Sequence, residues 1–341
     1  MMIDQPFTVR SLTLRNRIVM PPMCMFSSDA TGEVRDFHRL HYGARAMGGT
    51  GLVIEEATAV TPEGRISDRD LGIWDDAQIP GLAELVRLIH GGGAAAGIQL
   101  AHAGRKSGSA TGPLLGPSAV AFDEKSRIPI EMDPTDIDRV TAAFRDGAIR
   151  ALAAGFDLVE VHAAHGYLLH EFLSPVSNHR TDGYGGSTEH RARLLLEVLD
   201  AIRSVWPEDK PIQVRLSASD YLEGGLDIEE TIRIVRLIRD KADLFHISSG
   251  GVAPAPIRAY PGYQTGFAAA VRTACGVPTI AVGLITSLEQ AEETLSAGRA
   301  DLVALGRELL RDPYWPVRQK LRYPDLAIPV PESYGRGFHI G

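Results

Sequence analysis

The feature that most limits what this chain can fold into is an eightfold alternation of short apolar runs with amphipathic helical stretches. The runs cover residues 17–20, 52–57, 97–100, 158–162, 212–216, 244–248, 279–282 and 302–305. They are rich in Val, Ile and Leu and are bounded by Gly, Pro or Asp, as parallel strands buried on both faces are. A 3.6-residue period predicts helices over about 37–47, 79–90, 136–154, 189–205, 228–239, 267–274, 288–296 and 308–321. Cap residues support these limits. Asp133-Pro134 and Ser187 open two helices, Asp227 with Glu230 has the spacing of a capping box, and Gly155, Gly276 and Gly298 stand where helices should stop.

Eight strand–helix units with no second composition regime predict one α/β domain over residues 1–341, a closed (β/α)8 TIM barrel. A doubly wound sheet is the structural alternative. Against it, no G-x-G-x-x-G follows a strand, and the glycine run at 91–93 precedes one. Two connections are long, 58–78 after the second strand and 102–132 after the third. Both lie on the strand-to-helix side, where barrel active sites form. Residues 324–341 read as an irregular tail.

Composition narrows the partners. A net charge of −8 argues against nucleic acid and anionic membranes. Two distant cysteines, Cys24 and Cys275, build neither a disulfide framework nor an iron–sulfur site. With no long apolar segment and no basic leader, the expectation is a cytoplasmic protein acting on small molecules.

Strand alternation sorts the polar residues. Leu158, Glu160 and His162 share one face, as do Gln213, Arg215 and Ser217, and Gln99 lies near them on the third strand. A polar residue in mid-strand of a covered sheet must meet a polar partner. The simple account pairs Glu160 with Arg215 inside the barrel mouth, with Gln99 beside them; a purely structural ion pair is the other reading. The densest cluster is His162-Ala-Ala-His165-Gly-Tyr167, which offers N–H donors to an electron-withdrawing oxygen and a phenol to deliver a proton. Zinc would need a third ligand that no H-E-x-x-H or neighbouring cysteine supplies, and loop capping is the plain reading of both imidazoles. Gly283, Gly306 and Arg307 follow the seventh and eighth strands, where barrels bind phosphate. Cys24, in Pro21-Pro22-Met23-Cys24-Met25, is a nucleophile, a redox tuner or a small core residue.

These residues resemble the Old Yellow Enzyme family of flavin ene-reductases, in particular its thermophilic-like subgroup with a cysteine near the flavin. The resemblance runs from about Phe7 to Phe338. It rests on Pro22-Met23-Cys24-Met25, the stretch from Gln99 through His102 to Gly104-Arg105, the His162–Tyr167 loop continuing to Ser174-Pro175, the segments at 178–182 and 184–186, and Gly306-Arg307. It implies non-covalent FMN, reduced by NADPH or NADH. Backbone of Pro21, Pro22, Met23 and Cys24 with Ala57 would line the ring, and Cys24 would tune its potential. Gln99 would meet the pyrimidine edge, Arg215 the anionic reduced ring, and Gly283, Gly306 and Arg307 the phosphate. The substrates implied are enones, enals and nitro compounds. His162 and His165 would hold the substrate oxygen, hydride would come from flavin N5 to the β-carbon, and Tyr167 would protonate the α-carbon, in ping-pong order. Phe26 stands where close relatives carry a tyrosine that reaches the substrate oxygen, and Pro21 where a small polar residue is frequent. Arg336, in the tail, matches an arginine that reaches a neighbouring subunit's site in a homodimer or homotetramer. Other classes weighed are a larger dienoyl-CoA reductase, a glycosidase using Glu55 or Glu56 with Glu160, and a ligand-binding barrel without turnover.

Overall fold

In the computed structural model, which describes residues 1–338, eight parallel strands close into a barrel. They are β1 (Ile18–Met20), β2 (Leu52–Ala59), β3 (Ala95–Ala101), β4 (Leu158–Ala163), β5 (Ile212–Ser217), β6 (Leu244–Ser248), β7 (Thr279–Ala281) and β8 (Leu302–Ala304). Pairing of Val303 with Ile18 and of Ala304 with Val19 closes the ring between β8 and β1. The principal outer helices are α1 (Asp36–Met47), α2 (Ile79–Gly91), α3 (Pro134–Ala154), α4 (Arg193–Arg203), α5 (Ile228–Ile238), α6 (Thr265–Cys275), α7 (Leu288–Ser296) and α8 (Gly306–Arg311). All eight strands fall where the apolar runs predicted them, and the doubly wound sheet is excluded by closure.

The caps behave as side-chain chemistry requires. Asp133 accepts the Asp136 N–H at 2.9 Å and Asp227 accepts the Glu230 N–H at 2.8 Å. The Asp227 cap does not close into a box, because the Glu230 carboxylate is engaged by Arg191 and by Arg233, the latter at 2.8 Å. Two expected helices are broken. The one expected over 189–205 is a single turn, Thr188–Arg191, followed by α4; Arg191 at the break is tied to the Leu173 carbonyl at 2.8 Å. The one expected over 308–321 ends at Arg311, because Pro313 bars the preceding residue from helical geometry, and it resumes as Trp315–Arg318.

The barrel interior has two layers. At the N-terminal end Leu52, Ile54, Leu158, Leu244, Ile280 and Leu302 fill it. Below them a hairpin that the sequence reading lacked, Phe7–Val9 paired with Leu12–Leu14, plugs the opening with Leu14. Towards the C-terminal ends the inward side chains turn polar: Gln99, Glu160, Gln213, Arg215 and His246, all buried. Apolar packing therefore fixes the lower strands, and the mouth is left for chemistry. Both long connections rise on that side. The second holds a short parallel pair, Leu115–Gly116 with Ile130–Glu131. The tail read as irregular holds one 3-10 turn, Glu332–Gly337, and its residues 339–341 lie outside the described residues. Among the described residues no helix is long and apolar enough to cross a membrane.

Candidate active site

Register sets the site. His162 on β4 is level with Arg215 on β5, and Arg215 is level with His246 on β6. One step lower, Gln99, Glu160 and Gln213 share a level. The Glu160–Arg215 ion pair expected from strand alternation does not form. Glu160 instead accepts from Gln99 Nε2 at 2.7 Å, bonds His246 Nδ1 at 2.9 Å and is also met by Gln213. The reason is the two-residue offset: Glu160 is level with Gln213, and Arg215 stands above the carboxylate and opens to the mouth, where its nearest bond is to the Pro22 carbonyl at 3.4 Å. Burial pushes the Glu160 carboxyl up, but His246, Arg215 and the Gln213 amide outweigh it and hold it below its usual value. That keeps a charged carboxylate beneath the mouth, the wrong state for a glycosidase acid.

Above Arg215 stands the β4 loop. The rings of His162 and His165 meet edge to face with centroids 5.3 Å apart, and those of His162 and Tyr167 at 4.9 Å. The loop needs an unusual backbone. His165 has φ +60° and Gly166 φ +72°, and a side chain at Gly166 would lie 2.0 Å from the Gly251 carbonyl oxygen. The turn is held from below. The His165 N–H donates to Ser217 Oγ at 2.9 Å and the Gly166 N–H to His170 Nδ1 at 2.8 Å. Asp220, 3.1 Å from the other His170 nitrogen, also accepts from Ser174 Oγ at 2.7 Å.

The environment fixes the charge states. Burial, reinforced by the Arg215 guanidinium, holds His162 and His165 well below the usual imidazole range, so both are neutral. His162 Nδ1 accepts the Ala164 N–H at 3.3 Å, which leaves its proton on Nε2. Burial raises the Tyr167 phenol and keeps it protonated. The Cys24 thiol is pushed up to about 12 by burial and by Asp70 and Glu56, so it is not a thiolate nucleophile.

Beside Arg215 opens a cavity of about 340 Å3, lined by Pro21, Pro22, Met23, Gly283, Gly306 and Arg307 among others. Ser248 on its wall joins it to the loop, with its Oγ 2.7 Å from His165 Nε2. Most residues predicted for a ligand are thus gathered. Ala57 and Gln99 are buried in the adjoining strands, the former just past a bulge at Glu56. Phe26 is partly exposed with φ +50°. Arg336 is exposed on the tail turn, and among the described residues no hydrogen bond or ion pair joins it to the cluster.

The sequence reading missed three participants. His246 and Ser248 alternate with Leu244 on β6, the same signal that revealed Glu160. Lys106 directly follows a quoted motif. Its Nζ bonds the His165 carbonyl at 2.8 Å and lies 4.9 Å from the Tyr167 ring centroid.

The model of the NADH:flavin oxidoreductase / NADH oxidase family matches residues 3–325. The chain belongs to this family. The NADPH dehydrogenase of Geobacillus thermodenitrificans is 56% identical over 337 residues, 98% of either chain. Among solved structures, morphinone reductase aligns with a TM-score of 0.82 at 30% identity, over 94% of this chain and 89% of that one. The Old Yellow Enzyme homologue from Zymomonas mobilis aligns with a TM-score of 0.81 at 27% identity, over 97% and 96%. The chain is therefore an Old Yellow Enzyme family member and an enzyme, an NAD(P)H-dependent flavin oxidoreductase.

The cavity fits the flavin of this family. Its inner end offers the backbone of Pro21–Met23 and the Arg215 guanidinium, whose buried Nε has no partner among the described residues. Its outer end carries Arg307, and a side-chain carbon at Gly306 would meet nothing nearer than Met23 Sδ at 3.5 Å. Open backbone beside a cation suits a phosphate.

Proposed function

We propose that this Old Yellow Enzyme family member reduces the C=C bond of α,β-unsaturated carbonyl and nitro compounds with electrons from NADPH or NADH, in ping-pong fashion. The observation that carries the reading is the convergence of two neutral imidazoles and a protonated phenol above a buried guanidinium.

The residues divide the work. His162 Nε2–H and the His165 imidazole hold the carbonyl or nitro oxygen and polarise the double bond; being neutral, they donate hydrogen bonds through N–H groups too weakly acidic to give up the proton. FMN held there would supply the redox chemistry, hydride taken from NAD(P)H and given to the β-carbon. Arg215 would stabilise the negative charge of the reduced ring, and Pro21, Pro22, Met23 and Ala57 would line its face. Gln99, with its amide nitrogen spent on Glu160, presents its carbonyl oxygen to the pyrimidine edge. Gly283, Gly306 and Arg307 hold the phosphate. Cys24, as an uncharged thiol, tunes the ring without attacking it. Tyr167 delivers its phenolic proton to the α-carbon. Phe26 supplies an apolar wall in place of a donor. The chain works as a homodimer or homotetramer in which Arg336, exposed within the single chain, reaches a neighbouring site.

Tyr167→Phe tests the assignment. Anaerobic flavin reduction by NADPH should stay within about twofold, while reoxidation by 2-cyclohexenone slows on the order of a hundredfold or more. Equal reoxidation rates would remove Tyr167 from the role of acid.

A further inference from the structure

Two buried ionisable side chains beneath the β4 loop touch no reacting group. His170, on the short helix Leu168–Leu173, and Asp220, in the connection after β5, are both fully buried. Their facing atoms, His170 Nε2 and Asp220 Oδ1, lie 3.1 Å apart, and among the described residues neither has a hydrogen-bonding partner elsewhere. The backbone above them is strained. His165 has φ +60°, a conformation that residues with side chains rarely adopt, and Gly166 follows at +72°. The turn also lies close against Gly251, where a side-chain carbon would stand 2.7 Å from His165 Cα.

Three bonds hold this turn. Lys106 Nζ donates to the His165 carbonyl at 2.8 Å, the His165 N–H donates to Ser217 Oγ at 2.9 Å, and the Gly166 N–H donates to His170 Nδ1 at 2.8 Å. An ammonium and a hydroxyl can rotate their protons to make the first two. The third exists only while Nδ1 carries no proton, because a protonated Nδ1 would set one N–H against another. Asp220 decides that state. Its Oδ2 accepts the Leu226 N–H and Ser174 Oγ, each at 2.7 Å, which turns Oδ1 towards His170. Burial pushes the Asp220 carboxyl up, but the facing imidazole, Ser174 and the Leu226 N–H outweigh it and hold it below its usual value. A carboxylate at Nε2 draws the ring proton to that nitrogen and leaves Nδ1 bare.

We infer that Asp220 and His170 are a positioning pair for the reaction: the carboxylate selects the His170 tautomer, and that tautomer fixes the turn carrying His165 and Tyr167. The inference rests on the reading that those two side chains act on a bound enone. His165 lies within the strained turn and Tyr167 directly follows it, so one backbone bond at Gly166 governs the placement of both. A small displacement of such groups is costly in rate even when the fold is intact.

The test uses the FMN-loaded enzyme with Asp220→Asn, His170→Asn and His170→Gln. In Asp220→Asn the fixed Leu226 N–H takes the amide oxygen, so the amide nitrogen meets His170 Nε2 and drives the ring proton to Nδ1. At position 170, asparagine sets an oxygen as many bonds from the backbone as Nδ1 and keeps an acceptor for Gly166. Glutamine reaches towards Asp220 instead and leaves the Gly166 N–H bare. NMR of the histidine ring nitrogens should show a bare His170 Nδ1 in wild type and a protonated one in Asp220→Asn. Amide exchange across residues 162–167, read by mass spectrometry, should be about tenfold faster in Asp220→Asn and His170→Gln than in His170→Asn. Anaerobic reoxidation of the reduced flavin by 2-cyclohexenone should be at least about tenfold slower than wild type in Asp220→Asn and His170→Gln, and at least about fivefold faster in His170→Asn than in His170→Gln. A space-filling role predicts the reverse order at position 170, since glutamine is nearer to histidine in volume and keeps the Asp220 contact. An unchanged tautomer in Asp220→Asn, or a His170→Gln enzyme that equals His170→Asn in exchange or in rate, overturns the inference. Should the enone fail to reoxidise the wild-type flavin, the ene-reductase reading fails; the ring-nitrogen spectrum and the amide exchange still decide the pair, by the same outcomes.

Discussion

Cys24, Tyr167, His162 and His165 are all held uncharged by burial, and Glu56, beside them, is the carboxyl nearest its switching point. Burial pushes Glu56 up to about 7, although it accepts the Met25 N–H at 2.8 Å and the Tyr42 hydroxyl at 3.1 Å. A carboxyl whose folded value lies above its unfolded value of 4.5 binds more protons when folded. Its contribution to stability is full below the unfolded value and is lost as pH rises towards about 7. Glu56→Gln, which cannot ionise, should gain stability relative to wild type between about pH 5 and about pH 8, by on the order of 3 kcal/mol. Urea unfolding of both proteins at the two pH values measures this, and a gap that stays constant would refute it. At this scale much of the site was legible. Alternation along β4 and β5 singled out Glu160, His162 and Arg215 because inward polar residues have no innocuous place in a barrel. It could not show which inward group reaches which: the Glu160 partner proved to be His246, one strand further round.

Elements were legible in proportion to their length and apolar content. The strands showed themselves as Val/Ile/Leu runs because both their faces are covered. The hairpin Phe7–Val9 with Leu12–Leu14 did not, since three-residue strands with one exposed side carry too little pattern. Its role rests on Leu14, 1% exposed among the lower-layer leucines. Leu14→Ala should cost about 2–5 kcal/mol, seen as a lower urea midpoint, while Thr13→Ala, on the exposed side of the same strand, should leave it nearly unchanged. Equal effects would mean that the hairpin does not plug the barrel. The break at Pro313 was readable from proline chemistry; the break at Arg191 was not, because it coincides with tertiary bonds to Leu173 and Glu230.

Across the whole molecule, the barrel divides its interior by height. Apolar side chains at the bottom of the strands provide the burial that offsets chain ordering. That allows the top to keep a guanidinium, a carboxylate and several imidazoles out of water, at a cost a smaller core could not carry. The order of the strands around the ring then brings Arg215 beneath His162 and His165 without any contribution from a second domain. The central claim is that these groups pass a negative charge from reduced flavin to an acceptor oxygen. Its most direct test is the visible spectrum of the FMN-loaded protein, bleached anaerobically with one equivalent of NADPH and then mixed with 2-cyclohexenone in the absence of oxygen. The account predicts return of the oxidised-flavin absorbance together with saturated ketone. A spectrum that stays bleached until air is admitted would contradict it.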